Sequence, residues 1–363
     1  PIISSRTDIF ANNEGYAAGG RRLEAEAETA GRPTEVEEEA IRASTAAAAS
    51  SSLGPTSSPG RSLSHTPATG GVDRSNYMFV NLGDGTFRDD AAAVGLRDES
   101  NTGRGTALFD ANGDGLIDIV YGNWNAQHRL FLQQRDDAGG VSFTDAAPAD
   151  MAEPSRVRTV IVADFDNDGY EEIFYNNIPG ENRLFRKLPT DADWTKVHIG
   201  DALEATGYGT GGAVGDFDGD GRLELLVSHG ESSAQPLSLY RPRLGATNHW
   251  LRVAPRTVFG APARGAVVRL TAAGRTQLRV IDSGSGYLCQ MEPVAHFGLG
   301  SVTEVDVIEV VWPDGACAVL SASVTIDTLH TVAYPTGSGD STAACSNVTS
   351  ANGVHVGGAG TNA

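Results

Sequence analysis

Between about residue 74 and residue 335, short apolar runs alternate with clusters of Gly, Asp and Asn at intervals of about ten residues. That rhythm predicts many short antiparallel strands and an all-β fold. The stretch Phe79-Val80-Asn81-Leu82-Gly83-Asp84-Gly85-Thr86-Phe87 predicts a hairpin, because its Gly-Asp-Gly centre supplies the positive φ values that a tight turn needs. Three acidic stretches begin at Asp110, Asp164 and Asp216, 54 and 52 residues apart. Each is followed by an apolar strand: Ile119-Val120-Tyr121, Ile173-Phe174-Tyr175 and Leu225-Leu226-Val227. A second strand then follows, at residues 128–131, 182–185 and 236–240. A period near 50 residues with about four strands in each repeat is the pattern of β-propeller blades.

The same register reaches the start of the chain. Asp8-Ile9-Phe10-Ala11-Asn12-Asn13 matches Glu172 to Asn177, so Asp8 reads as the last ligand of an earlier acidic loop. Residues 1–14 are therefore expected to be the end of a truncated blade, and in a chain that opens at Pro1 the true N-terminus is expected to be missing or processed. Residues 15–73 hold the acidic run from Glu24 to Glu39 and then an Ala/Ser/Pro/Gly stretch, a composition expected to form a disordered insertion. Blades are expected over 74–244. A separate small β domain is expected over 245–335, with strands at Trp250–Val253, Ala266–Leu270, Gln277–Ile281 and Val307–Trp312. A Gly/Ser/Thr/Ala-rich, disordered tail is expected over 336–363.

The acidic stretches carry the chemistry. Each reads D-x-[DN]-x-D-G-x-x-[DE]. Positions 1, 3, 5 and 9 are Asp110, Asn112, Asp114 and Asp118 in the first loop. They are Asp164, Asp166, Asp168 and Glu172 in the second, and Asp216, Asp218, Asp220 and Glu224 in the third. Calcium takes six to eight oxygen ligands from carboxylates and carbonyls, and Gly at position 6 permits the sharp turn around the ion. Position 7, occupied by Leu116, Tyr170 or Arg222, needs only its carbonyl, which explains why its side chain varies. An EF-hand would place the closing acid at position 12 between helices. Here it falls at position 9 between strands, so the spacing predicts calcium-binding β-hairpin loops. Without a cation the crowded carboxylates would repel one another. Asn112 replaces an acid in the first loop, where the weakest binding is expected.

These repeats, with the Asn81 to Phe87 element, resemble the FG-GAP/VCBS repeats that build propeller blades, as in integrin α-subunit heads. The C-terminal region resembles the ASPIC/UnbV domain in Asn248–Leu251, Gly265–Leu270, Ser285–Tyr287, His296–Gly300 and Val311–Gly315. The resemblance implies a partial β-propeller with calcium loops followed by a small β-rich domain, in a secreted or cell-surface calcium-binding protein of adhesion or matrix contact.

Composition narrows the alternatives. A net charge of −19 disfavours nucleic acid. No apolar run approaches the length of a spanning helix. The three cysteines, Cys289, Cys317 and Cys345, allow one internal bridge at most; Cys289 is expected in a strand as a buried thiol. The segment from Arg241 to Arg279 contains eight Arg and no acid, which would suit an anionic glycan or equally a solvated strand face. His296 is expected to be a packed histidine rather than a metal ligand. Ser228, His229 and Glu231 lack a nucleophile elbow, so catalysis is not expected there. Asn347-Val348-Thr349 is a glycosylation sequon. The leading expectation is a non-enzymatic extracellular binding module with structural calcium and a protein or glycan partner. The rivals are a calcium-assisted hydrolase and an intracellular scaffold with vestigial loops.

Overall fold

The computed structural model describes residues 10–11, 75–99, 101–191, 193–231, 234–282, 287, 289–321 and 324–336. Asp8, the acidic run, the low-complexity segment, Cys345, the sequon at Asn347 and most of the segment 336–363 lie outside these residues. The described residues fall within one compact unit, and their regular secondary structure is almost entirely strand. Among them, no helix is long and apolar enough to cross a membrane.

The first strand, β1 (Phe10–Ala11), belongs to a sheet formed much later in the chain. The next two, β2 (Phe79–Asn81) and β3 (Phe87–Asp89), make the expected hairpin, with Gly83 and Gly85 both at positive φ. Three antiparallel blades follow. The first is β4 (Gly103–Phe109), β5 (Asp118–Ala126), β6 (Arg129–Arg135) and β7 (Val141–Asp145). The second is β8 (Ser155–Ala163), β9 (Glu172–Asn177), β10 (Arg183–Arg186) and β11 (Thr195–Val197), and the end of β5 pairs with β8 at Trp124 and Arg156, joining these two blades into one eight-stranded sheet. The third is β12 (Gly209–Gly215), β13 (Glu224–His229) and β14 (Ser238–Pro242). Its outer strand is β1, which pairs Phe10 with Pro242 and Ala11 with Arg241. The sequence register assigned Phe10 to an earlier blade. In the structure the free edge of β14 recruits it instead, which completes that blade's ladder.

The central blade shows why the inner strands read as unbroken apolar runs. Every residue of β9 is buried, and successive side chains point to opposite faces. Ile173 and Tyr175 join a core with Phe109, Val120 and Leu130 of the first blade and Trp194 of their own, whereas Phe174 joins Phe165 of its own blade and Leu223, Leu225 and Tyr240 of the third. A blade held between two others has two buried faces and no polar one.

The C-terminal strands are β15 (His249–Pro255), β16 (Val267–Ala272), β17 (Arg275–Val280), β18 (Ala295–Gly300), β19 (Val307–Val311), β20 (Cys317–Leu320) and β21 (Leu329–Val332). They form two sheets, ordered β17-β16-β19-β20 and β18-β15-β21, around a core of Leu251, Val253, Val268, Leu270, Phe297, Ile308 and Trp312. Cys317 is disulfide-bonded. Among the described residues, those around Cys289 form no strand, and Cys289 is half-buried rather than enclosed.

The first and second blades touch backbone to backbone at Gly105. A Cβ there would lie 2.4 Å from Val160 N and 2.7 Å from Arg158 O, main-chain atoms of β8 that cannot yield. Gly103, in the same strand, has its nearest neighbours at 3.8 and 3.9 Å, ordinary contact distances. Gly105→Ala is therefore expected to cost about 1–3 kcal/mol in urea denaturation, and Gly103→Ala a small fraction of that. Equal effects at the two positions would show that blade contact does not depend on this approach.

Candidate metal centres

Each acidic stretch forms the turn of a blade's first hairpin, between β4 and β5, β8 and β9, or β12 and β13. The three turns are built alike. The position 1 carboxylate accepts the N–H of position 6: Gly115 to Asp110 at 2.9 Å, Gly169 to Asp164 at 2.8 Å and Gly221 to Asp216 at 3.1 Å. The position 5 carboxylate accepts the N–H of position 7, from Leu116, Tyr170 and Arg222, at 2.8, 2.8 and 3.0 Å. The position 9 acid accepts the N–H of position 2, from Ala111, Phe165 and Phe217, at 2.8, 3.0 and 2.8 Å. One oxygen of each of these carboxylates thus shapes the loop. The sharpness of the turn requires positive φ at position 6 and also at position 4, where Gly113, Asn167 and Gly219 sit at 76°, 57° and 77°.

What the second oxygens do separates the loops. In the second loop, Asp164, Asp166 and Glu172 bring ligand atoms within 4.8 Å of one another, and so do Asp216, Asp218 and Glu224 in the third. Glu172 Oε1, Glu224 Oε1 and Asp216 Oδ1 are buried without a hydrogen-bond partner. The first loop forms no such group among the described residues. Asp118 is one methylene shorter than Glu, and its remaining oxygen is taken by the Gln133 N–H at 2.7 Å. Asn112 donates its amide to Asp114 at 2.9 Å. The position 7 side chains turn elsewhere: Tyr170 lies beneath the Arg275 guanidinium, 3.5 Å from the ring centre, and Arg222 pairs with Asp220.

Burial and mutual repulsion set the electrostatics. Burial is the larger cause and the neighbouring carboxylates the next, and together they hold Asp164 and Glu172 well above the usual range. Asp166 is pushed up to about 6, by burial first and then by Asp168. Asp118 is pushed up to about 7 by burial, with smaller contributions from Asp114 and Asp110.

Two sets of basic groups meet these loops. Arg186 of β10 reaches Asp166 at 3.0 Å and Asp168 at 2.5 Å, and Arg241 of β14 pairs with Asp218 and, at 3.2 Å, with Asp220. The C-terminal strands supply the rest. Arg252 pairs with Asp216 at 3.3 Å and with Glu292, Arg279 with Glu171 at 3.1 Å, and Arg275 donates to the Gly169 carbonyl at 2.7 Å. The Arg241 to Arg279 segment is thus no uniform basic face. Arg241, Arg252, Arg275 and Arg279 turn onto the acidic loops.

Backbone and neutral groups of the C-terminal strands clasp the second loop. The Gly298 N–H donates to Asp164 Oδ2 at 3.1 Å, and Asn248 donates to the Asp166 carbonyl at 2.8 Å. Asn167 donates to the Gly221 carbonyl at 2.9 Å, which leaves its oxygen to accept from His296 Nε2 at 2.6 Å. Burial, and then Arg252 and Arg279, lower the His296 pKa, so the ring is neutral and Nε2 carries the hydrogen. A Cβ at Gly298 would fall 2.1 Å from Asp164 Oδ2, and one at Gly245 would fall 2.1 Å from the Asp166 carbonyl. The contact excludes any side chain at either position. His229 engages Glu204 and the Pro236 carbonyl through its two ring nitrogens, at 3.1 and 2.7 Å.

The chain matches the FG-GAP-like repeat over residues 110–175 and 164–227, and the ASPIC and UnbV domain over 260–339. It is an FG-GAP repeat protein with a C-terminal ASPIC/UnbV domain, in which each matched repeat begins at an acidic turn and runs into the second strand of the next blade. Among curated proteins it is similar to Cartilage acidic protein 1 of Homo sapiens, at 57% identity over 248 residues, covering 66% of this chain and 37% of that protein. The proteins of the same name from Xenopus tropicalis and Mus musculus are each 54% identical over 269 residues, covering 72% of this chain and 41% of theirs. The chain thus spans well under half the length of these relatives.

The raised carboxyl pKa values predict how stability depends on pH without metal. The unfolded values lie near 4. Because the folded values are higher, this contribution to stability is fully present below about pH 4 and is lost as pH rises through about 6 for Asp166 and about 7 for Asp118. In chelator, the melting temperature of the chain is expected to fall between pH 5 and pH 8. A flat or rising profile would show that the loop carboxyls are not held in their protonated forms.

Proposed function

We propose that this chain is a calcium-binding, non-enzymatic extracellular module for adhesion or matrix contact, in which calcium is structural. The observation that carries the reading is the pair of carboxylate groups in the second and third loops, whose buried glutamate oxygens lack hydrogen-bond partners. These groups are all carboxylate, with no His or Cys, which suits a hard cation rather than zinc or copper. Ions held by Asp164, Asp166, Asp168 and Glu172, and by Asp216, Asp218, Asp220 and Glu224, would bind the glutamate oxygens that are left without hydrogen-bond partners. The first loop, through Asp110, Asn112, Asp114 and Asp118, would bind most weakly.

Three observations support the extracellular setting. Extracellular calcium near a millimolar suits loops of this type. The disulfide at Cys317 belongs to an oxidising compartment. The relatives carry the name Cartilage acidic protein 1. The carboxylates of the three acidic turns are engaged by turn hydrogen bonds and by Arg186, Arg241 and Arg252, which favours a structural over a catalytic role for them. The partner we infer is an extracellular protein. An anionic glycan at residues 241–279 is the weaker reading, since so much of that segment's charge faces inward.

The test is a melt and a calorimetric titration of the whole chain with calcium. At about ten times Kd each site adds about 1.4 kcal/mol, so two sites are expected to raise the melting temperature by several degrees. Glu172→Gln is expected to remove one ion from the stoichiometry. The absence of both heat and shift at about 1 mM calcium would overturn the proposal.

A further inference from the structure

The ladder register places one residue of the blade's third strand beside the position 9 acid. Phe185 pairs with Ile173 and Tyr240 with Leu225, which sets Arg186 next to Glu172 and Arg241 next to Glu224. In the first blade Phe131 pairs with Ile119, and the corresponding neighbour of Asp118 is Leu132. The two arginines adopt the same pose. Nη2 of Arg186 bridges Asp166 and Asp168, at positions 3 and 5 of its loop, and Nη2 of Arg241 bridges Asp218 and Asp220 at the same positions. In both, Nε faces the position 9 glutamate Oε1 from 3.6 Å, too far for a hydrogen bond. All four of these atoms, the two Nε and the two Oε1, are buried without hydrogen-bond partners. The guanidinium therefore fills the space between the oxygens of positions 3, 5 and 9 but satisfies the glutamate poorly. Glu172 is fully buried, with this oxygen directed into the loop.

We propose that Arg186 and Arg241 are resident cations of the second and third loops, which hold the carboxylates together without metal and must be displaced for an ion to enter. This rests on the calcium reading above, because the oxygens that the arginines bridge are the ones an ion would take. Guanidinium and ion compete for the same charges at the same place. The arginine stabilises the empty loop and weakens the filled one. Two loops that would otherwise bind tightly, with four carboxylates each, are thereby tuned toward weaker affinity. The first loop has one carboxylate fewer and keeps Leu132 at that place.

The test compares the full chain with Arg186→Leu and Arg241→Leu, which give each loop the first blade's residue. Calcium chloride is titrated by calorimetry, and melting is followed in chelator. Each variant is expected to bind calcium at the altered loop roughly tenfold more tightly, the equivalent of about 1.4 kcal/mol, and to melt lower than the parent in chelator. A residue that merely packs would lower stability in both states without tightening the ion. If the parent binds calcium and the variants bind it equally or less well, the arginine role is overturned and the calcium reading stands. If only the variants bind, the arginine role stands and the parent's calcium function falls. If none binds, both fall. Arg241 is the more exposed of the two, so its variant decides the matter should Arg186→Leu fail to fold.

Discussion

The structure is organised around negative charges held out of water. A single buried carboxylate is costly, and several within a few ångströms are tolerated only when positive charge or hydrogen-bond donors surround them. In each acidic turn, one oxygen of the carboxylates at positions 1, 5 and 9 accepts a main-chain N–H and so dictates the path of the loop. In the second and third turns, carboxylate oxygens of positions 1, 3 and 9 also converge. The turn geometry and the charge cluster are one construction, and neither can change without the other.

That constraint explains why the blades and the C-terminal sheets form one compact unit. The second loop is covered by groups from β17 and β18: Arg275 and Arg279 bring charge, Gly298 brings an N–H, and His296 fixes Asn167, while Arg252 of β15 pairs with Asp216 of the third loop. Asn167 is the only position 4 residue of the three that is not glycine, and its amide ties two neighbouring elements to the turn. The ASPIC/UnbV domain thus serves as the lid under which the most buried acidic turn can exist.

Much of this was legible in the chain. The D-x-[DN]-x-D-G-x-x-[DE] spacing placed all three turns, and the apolar runs after them are β5, β9 and β13. The first strand of the third blade was not legible, because Gly-Thr-Gly-Gly-Ala-Val-Gly carries no apolar run. Gly209 and Gly212 lie against Asn176 and Ile161 of the second blade with no room for a Cβ, a fact about packing rather than local preference. The arginines were visible only as a basic segment. Arg186 lies 20 residues beyond Asp166 and Arg279 more than a hundred beyond it, so their destinations depend on strand register and docking. The pairing of Phe10 with Pro242 was hidden for the same reason. Glycine or asparagine at position 4 was present in all three repeats and would have strengthened the turn assignment.

The alternation along β9 has a consequence for how such a protein tolerates substitution. Ile173 and Phe174 are adjacent in the chain, yet one shares its core with Phe109 and Trp194 and the other with Leu223 and Tyr240. Covalent neighbours on this strand answer to different repeats, and residues about fifty positions apart answer to one another. A change of side-chain volume on one face of β9 must therefore be absorbed by the facing side of the neighbouring blade, leaving the opposite face of the same strand untouched.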